Sequence, residues 1–244
     1  MILEGIMLRT YFLSVIVFCG QSIFAGVTID GTRVIFPSNA KSVSVQLRNG
    51  LSTPALVQTW IDNGDINQIP HADKIPFVLT PPLSRVEPNK GQIIRIIPTG
   101  SPSLPQDHES LFWFNMLDIP PDNLEYSGKN ILTFNVRTRI KLFYRPANLK
   151  MQLNKAYSSI KVNYNRVSKE ITLDNPTPYF ITITQMDFDS KAQNQNASYN
   201  QAVMLNPYSQ QALTNFTVDF LPEKFSYQIV NDLGGNQSFE TKFD

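Results

Sequence analysis

The sequence predicts an all-β protein built as two β-sandwich domains, and three features point there. Apolar and polar residues alternate over short runs, turn-forming residues separate the runs, and no long stretch follows the 3.6-residue period of a helix. The length of 244 residues, less a leader, suits two sandwiches of roughly 100 residues each. With 42% hydrophobic and 17% charged residues, the chain has enough apolar material for packed cores.

The strands read off in order. Val43, Val45 and Leu47 alternate with Ser44, Gln46 and Arg48, and Asn49-Gly50 follows as a turn. Ala55 to Ile61 is an apolar run closed by Asn63-Gly64-Asp65. Gln92 to Ile97 follows the turn residues Asn89-Lys90-Gly91, and Leu111 to Leu117 is a further run. Ile131 to Tyr144 is the longest strand candidate. After Pro146 the pattern resumes at Glu170 to Leu173, Tyr179 to Met186, Gln211 to Val218, Phe225 to Val230 and Ser238 to Phe243. Val, Ile, Thr, Phe and Tyr dominate these runs, as a pleated, half-buried surface favours. The 17 prolines fall mostly between them, where no ladder N–H is needed. Asn194 to Asn200 is polar and is expected to be a loop. The long strand stops near Arg145-Pro146-Ala147, which divides the chain into domains 26–146 and 147–244.

The N-terminus reads as a leader. Arg9 precedes an apolar run from Tyr11 to Phe18, followed by Cys19-Gly20-Gln21-Ser22-Ile23-Phe24-Ala25. These are the parts of a secretory signal peptide over residues 1–25, with cleavage after Ala25. The run is too short to cross a bilayer as a stable helix, which disfavours a retained anchor. Met7 competes with Met1 as the start, because Glu4 is out of place in a basic n-region. Cleavage removes Cys19, the only cysteine, so the exported chain must hold itself together without a disulfide. In a bacterium with two membranes the destination is the periplasm.

Residue types needed for catalysis are scarce. His71 and His108 are the only histidines, both in loop-like contexts and without metal-ligand spacing. A nucleophile–base pair would have to recruit one of them. Gly128-Lys129 is followed by Asn130 and lacks the upstream glycine of a phosphate loop, so ATP is not expected to take part. With 21 basic against 20 acidic residues, the net charge of +1 gives no nucleic-acid footprint. The sequence predicts a binding protein with no cofactor, no metal and no catalytic activity.

Six segments, in order, carry a resemblance. They are Gly31-Thr32-Arg33-Val34-Ile35-Phe36-Pro37; Thr80-Pro81-Pro82 running to Arg85-Val86-Glu87-Pro88; Leu104-Pro105-Gln106-Asp107-His108-Glu109 running to Ile119-Pro120-Pro121; Thr138-Arg139-Ile140-Lys141-Leu142-Phe143-Tyr144-Arg145-Pro146; Asn175-Pro176-Thr177-Pro178-Tyr179; and Asn231-Asp232-Leu233-Gly234-Gly235. Together they span nearly the whole chain after the leader. In them the chain resembles the periplasmic chaperones of pilus (fimbrial) assembly.

That resemblance implies two immunoglobulin-like domains arranged as a boomerang, and a partner that is an incomplete immunoglobulin-like pilus subunit. Arg33 and Lys141 match the family's paired cations, which anchor the subunit's C-terminal carboxylate. Leu132, Phe134 and Val136 share one parity along the long strand, with Thr133, Asn135 and Arg137 between them. They match the donor strand that fills the subunit's missing position until another subunit replaces it at the outer-membrane usher. Lys141 has the opposite parity and points off that apolar face. Glu109, Arg145 and Asp232 match an ion triad between the domains; His108 stands where the family usually has a basic Arg beside that glutamate. The short stretch from Asp122 to Ile131, free of cysteines, resembles the short-loop branch of the family. An exposed apolar strand also makes self-association conceivable without a partner. The competing readings are a pilus subunit or adhesin, which usually carries a disulfide that the exported chain lacks, and a sandwich hydrolase.

Overall fold

A computed structural model describes residues 26–100, 103–119, 132 and 134–243. The leader, residues 1–25, and the stretch from Asp122 to Ile131 lie outside the described residues. The first domain contains strands β1 (Val27–Ile29), β2 (Arg33–Pro37), β3 (Val43–Asn49), β4 (Ala55–Asp62), β5 (Phe77–Thr80), β6 (Leu83–Val86), β7 (Gly91–Pro98), β8 (Ser110–Ile119) and β9 (Val136–Arg145). One sheet has the order β1-β3-β7-β5 and the other β2-β9-β8-β4-β6. Their facing sides close over Phe36, Leu47, Val57, Ile94, Ile96, Phe114, Met116 and Leu142, all without solvent exposure.

The second domain lies C-terminal to β9. It opens with a one-turn helix α1 (Leu153–Tyr157) and continues with β10 (Lys161–Tyr164), β11 (Glu170–Asn175), β12 (Ile181–Ser190), β13 (Gln195–Tyr199), β14 (Val203–Leu205), β15 (Ser209–Thr217), β16 (Lys224–Val230) and β17 (Asn236–Lys242). A three-stranded sheet β10-β11-β15 faces a sheet of order β13-β12-β16-β17, with β14 sharing the β12 edge. Its core holds Ile171, Leu173, Met186, Phe188, Phe225 and Tyr227, and rings of Phe188, Phe225 and Tyr227 stack in succession at 5.3 and 4.9 Å. The two domains are thus sandwiches with separate cores, as the strand pattern predicts.

Two expectations need correction. Asn194 to Asn200 is not a loop: residues 195–199 form β13, paired antiparallel with Met186–Ser190 of β12. As an edge strand it needs a ladder on one side only. Asn196 and Ser198 face solvent while Tyr199 is buried, so polarity hides a strand whose backbone does the pairing. The long strand, expected from Ile131, begins at Val136 among the described residues, and Ile131 and Thr133 lie outside them. Its neighbour β8 ends at Ile119, and the last register pair is Asp118 with Val136. The sequence then continues into Pro120-Pro121, which carry no N–H to extend the ladder.

Nearly every strand pair is antiparallel, but β2 runs parallel to β9 and pairs only with its second half, Lys141–Arg145. The first half, Val136–Ile140, is bonded to β8 on one side, and no described strand covers the other. That leaves an open sheet edge leading straight to the exposed residues upstream.

Candidate functional site

The parallel pairing of β2 and β9 puts Arg33 directly opposite Lys141. In β2, Val34 and Phe36 turn into the core, which sends Arg33 outward; in β9, Leu142 turns inward and sends Lys141 and Phe143 outward. That outward face meets the second domain. Arg33 Nη1 donates to the Val230 carbonyl at 2.9 Å, Lys141 Nζ donates to Thr182 Oγ1 at 3.1 Å, and the Phe143 ring lies 5.7 Å from Phe180. The two cations therefore sit at the seam between the domains.

Neither cation forms an ion pair among the described residues, and Arg33 Nε is buried without a hydrogen-bond partner. Burial lowers the Lys141 ammonium below the ordinary lysine range, and the charge of Arg33 lowers it further. Burial likewise lowers Arg33, against the distant pull of Tyr157, Asp232 and Glu109. Two half-buried like charges with spare donors form a site that an anion would stabilise.

Arg145, at the end of β9, is gripped from two directions. Its Nε donates to Glu109 Oε1 at 2.6 Å, while Nη1 and Nη2 donate to the two oxygens of Asp232 at 2.6 and 2.9 Å. The guanidinium also lies 5.2 Å from the Tyr179 ring centroid. Glu109, only 2% exposed, accepts from the Phe180 N–H at 2.8 Å, and its own N–H donates to the Pro178 carbonyl. Burial pushes the Glu109 carboxyl up despite the adjacent arginine. Asp232 is presented by a tight turn in which Asn231 Oδ1 accepts from the Leu233 and Gly235 N–H groups. Gly234 has φ +83° there, and a Cβ would meet Thr32 Oγ1 at 2.5 Å, so only glycine lets the turn approach β2 this closely. The three charged residues matched by resemblance thus meet across the domain boundary.

Before β9 and at its first residue the apolar side chains face water: Leu132 is 80% exposed, Phe134 71% and Val136 54%. Three apolar side chains are thus displayed to solvent within one short segment.

One cluster escaped the sequence reading. Asp62, at the end of β4 and fully buried, accepts from Arg139 Nη2 at 2.6 Å and Nε at 3.1 Å, from Asn115 Nδ2 at 2.8 Å and from the Gly64 N–H at 2.8 Å. Asn115 Oδ1 in turn accepts two bonds from Arg137, at 3.0 and 2.8 Å. The guanidinium groups lie over the rings of Trp60 and Trp113, at 4.8 Å for Arg137 and 4.0 Å for Arg139. No motif signals it, because Asp62, Asn115 and the arginines come together only through the sheet. Thr182, from the second domain, was missed for the same reason.

Burial alone would raise the Asp62 carboxyl, but the hydrogen bonds from Arg139, Asn115 and Gly64, with the charge of Arg139, hold it below the usual carboxylate range. A depressed folded value means that its contribution to stability is complete above the unfolded value of about 3.9 and is lost as pH falls through the folded value. Urea unfolding of wild type and Asp62→Asn should therefore differ by a constant amount from pH 7 to about pH 5. The gap should close below that.

Comparison with known proteins agrees across both domains. The family model for the pili and flagellar-assembly chaperone PapD N-terminal domain matches residues 26–150, and that for the pili assembly chaperone PapD C-terminal domain matches residues 155–241. The chain is 41% identical over 225 residues to the chaperone protein HifB of Haemophilus influenzae, covering 91% of this chain and 90% of that one. It is 36% identical over 230 residues to the probable fimbrial chaperone YadV of Escherichia coli K12, covering 92% of each. The crystal structure of the YadV chaperone superposes with a TM-score of 0.75 at 34% identity, over 90% of this chain and 100% of that one.

Proposed function

Because the chain belongs to the family of periplasmic pilus-assembly chaperones, we propose that its cleft cations and its open strand edge act together to hold one pilus subunit. The protein is a chaperone of pilus subunits. In the mechanism we assign to it, the subunit's terminal carboxylate enters between Arg33 and Lys141 and takes up their spare donors. The subunit's edge strand then adds to the uncovered side of Val136–Ile140, gaining ladder bonds of about 1 kcal/mol each. Leu132, Phe134 and Val136 enter the groove left by the strand that the subunit lacks. The observation that carries this reading is the continuity of the three features: an exposed apolar segment runs into the open edge of β9, which leads to Lys141 with Arg33 opposite it on β2.

The protein works in the periplasm after its leader is removed, and passes its subunit to an outer-membrane usher. It uses no ATP and catalyses no covalent step. The domains divide at 146/147, and the triad of Glu109, Arg145 and Asp232 sets the angle between them. The loop before β9 is of the short kind. When no subunit is bound, the same edge is open to a second copy of the chain.

The donor segment gives a direct test. Burying one phenylalanine ring contributes about 1.5–3 kcal/mol. Phe134→Ser is therefore expected to shorten the lifetime of the subunit complex by roughly 10- to 150-fold. Since Phe134 is exposed in the free protein, thermal stability should not change. Dissociation measured by competition with a second subunit's N-terminal extension checks this, and an unchanged lifetime would remove the donor role.

A further inference from the structure

On one face of β9, Arg137, Arg139 and Lys141 repeat every second residue. A strand that slips by two residues along its partner keeps every side chain on its proper face, so alternation alone does not forbid it. The move is about 7 Å. For a subunit held by the open edge and by its terminal carboxylate, Arg139 would then stand where Lys141 stood. Three cations at equivalent positions make a poor ruler unless two of them are unavailable.

Resting on the reading above, we propose that Asp62 and Asn115 mask Arg139 and Arg137 from the subunit's carboxylate, leaving Arg33 with Lys141 as the one free anchor and so fixing the register of capture. The geometry divides the cations into two groups. Arg139 gives its fork to Asp62, and also donates to the Gly64 carbonyl at 3.2 Å. Arg137 gives Nε and Nη2 to Asn115, and Nη1 to the Ile66 carbonyl at 2.5 Å. Arg137 is also within 3.5 Å of Asp62, which therefore offsets the charge of both. Lys141, by contrast, has a single neutral acceptor in Thr182, and Arg33 has one carbonyl and one idle buried N–H. An incoming carboxylate finds, at two positions, cations already engaged by Asp62 and Asn115, and at the third a pair of cations with no carboxylate partner among the described residues. Asp62 acts through the arginines and touches no ligand in this scheme, so it is a positioning residue.

The test uses the full chain and the subunit that co-purifies with it, carrying one cysteine in its groove. In wild type, Phe134→Cys should form the disulfide with that cysteine and Leu132→Cys should not. In Asp62→Asn, Arg139 is released and a slipped complex appears, so Leu132→Cys also cross-links. Lys141→Ala should cost roughly tenfold or more in capture in the wild-type background. In the Asp62→Asn background the loss should be at least several-fold smaller, because Arg139 substitutes. A merely structural role for Asp62 would not lessen the effect of Lys141→Ala. An unchanged cross-linking pattern with an undiminished Lys141→Ala loss would overturn the masking, while leaving capture itself intact; failure of wild type to bind any subunit would instead overturn the reading beneath it. Should Asp62→Asn not fold, acetate titrated into the wild-type protein decides the matter by NMR of arginine Nε–H signals. Arg33 should shift while Arg137 and Arg139 stay still; joint movement of all three at the same acetate concentration refutes the proposal.

Discussion

Arg33→Ala combined with Lys141→Ala is expected to abolish stable capture of a subunit while leaving the unloaded protein folded. Each charge-assisted hydrogen bond to a carboxylate contributes about 1.5–3 kcal/mol, so each single substitution should weaken binding by roughly 10- to 150-fold. The two together should weaken it by roughly 10²- to 10⁴-fold. The effect on folding should run the other way. Both side chains are charges held at a buried seam beside a like charge, and burial lowers both below their ordinary values. Removing one relieves a repulsion and a desolvation cost, set against a lost bond to Val230 or Thr182. Melting temperature and subunit affinity, measured on the same samples, should therefore part company. A pair of variants that loses stability and binding in step would show that the cations hold the domains together and anchor nothing.

Arg145→Ala should be the most damaging single substitution to the fold. It leaves Glu109, 2% exposed, with only the Phe180 N–H to satisfy a buried carboxylate, and it frees Asp232 from its bidentate partner. Breaking a buried pair by removing one member costs about 3–5 kcal/mol, and the partial exposure of Asp232 places this case toward the lower end. The pH dependence carries a definite sign. Burial already pushes the Glu109 carboxyl up, and without the arginine it rises further. An acid whose folded value is raised binds its proton better in the folded state, so the variant should regain stability as pH falls through that value. Thermal melts at pH 7 and pH 5 should show the variant closer to wild type at pH 5. Glu109→Gln in the same chain should recover part of the loss at pH 7, because a neutral side chain no longer needs the counter-charge. Equal deficits at both pH values would place the damage elsewhere, such as in lost packing against Tyr179.

The sequence exposed some of this more readily than the rest, for physical reasons. Runs such as Val43 to Leu47 and Phe225 to Val230 announce themselves because one face is buried and the other wet, and period two survives in the letters. The three-residue β1 and β14 and the polar β13 do not, since an edge strand is held by backbone bonds that any residue can supply. The charged residues were named through resemblance alone: nothing in Thr32-Arg33-Val34 says that the strand runs parallel to β9 and faces Lys141. The Asp62 cluster was illegible for a deeper reason. Its members lie on three strands up to 77 positions apart, and their chemistry exists only once the sheet is assembled.

The most direct measurement is purification of the tagged chain from the periplasm of a host expressing its own pilus genes. The account predicts one subunit bound per chaperone, retained through washing, and lost when both Arg33 and Lys141 are replaced by alanine. A chain that comes off the column alone, folded and monomeric, while the subunits are present in the same extract would contradict it.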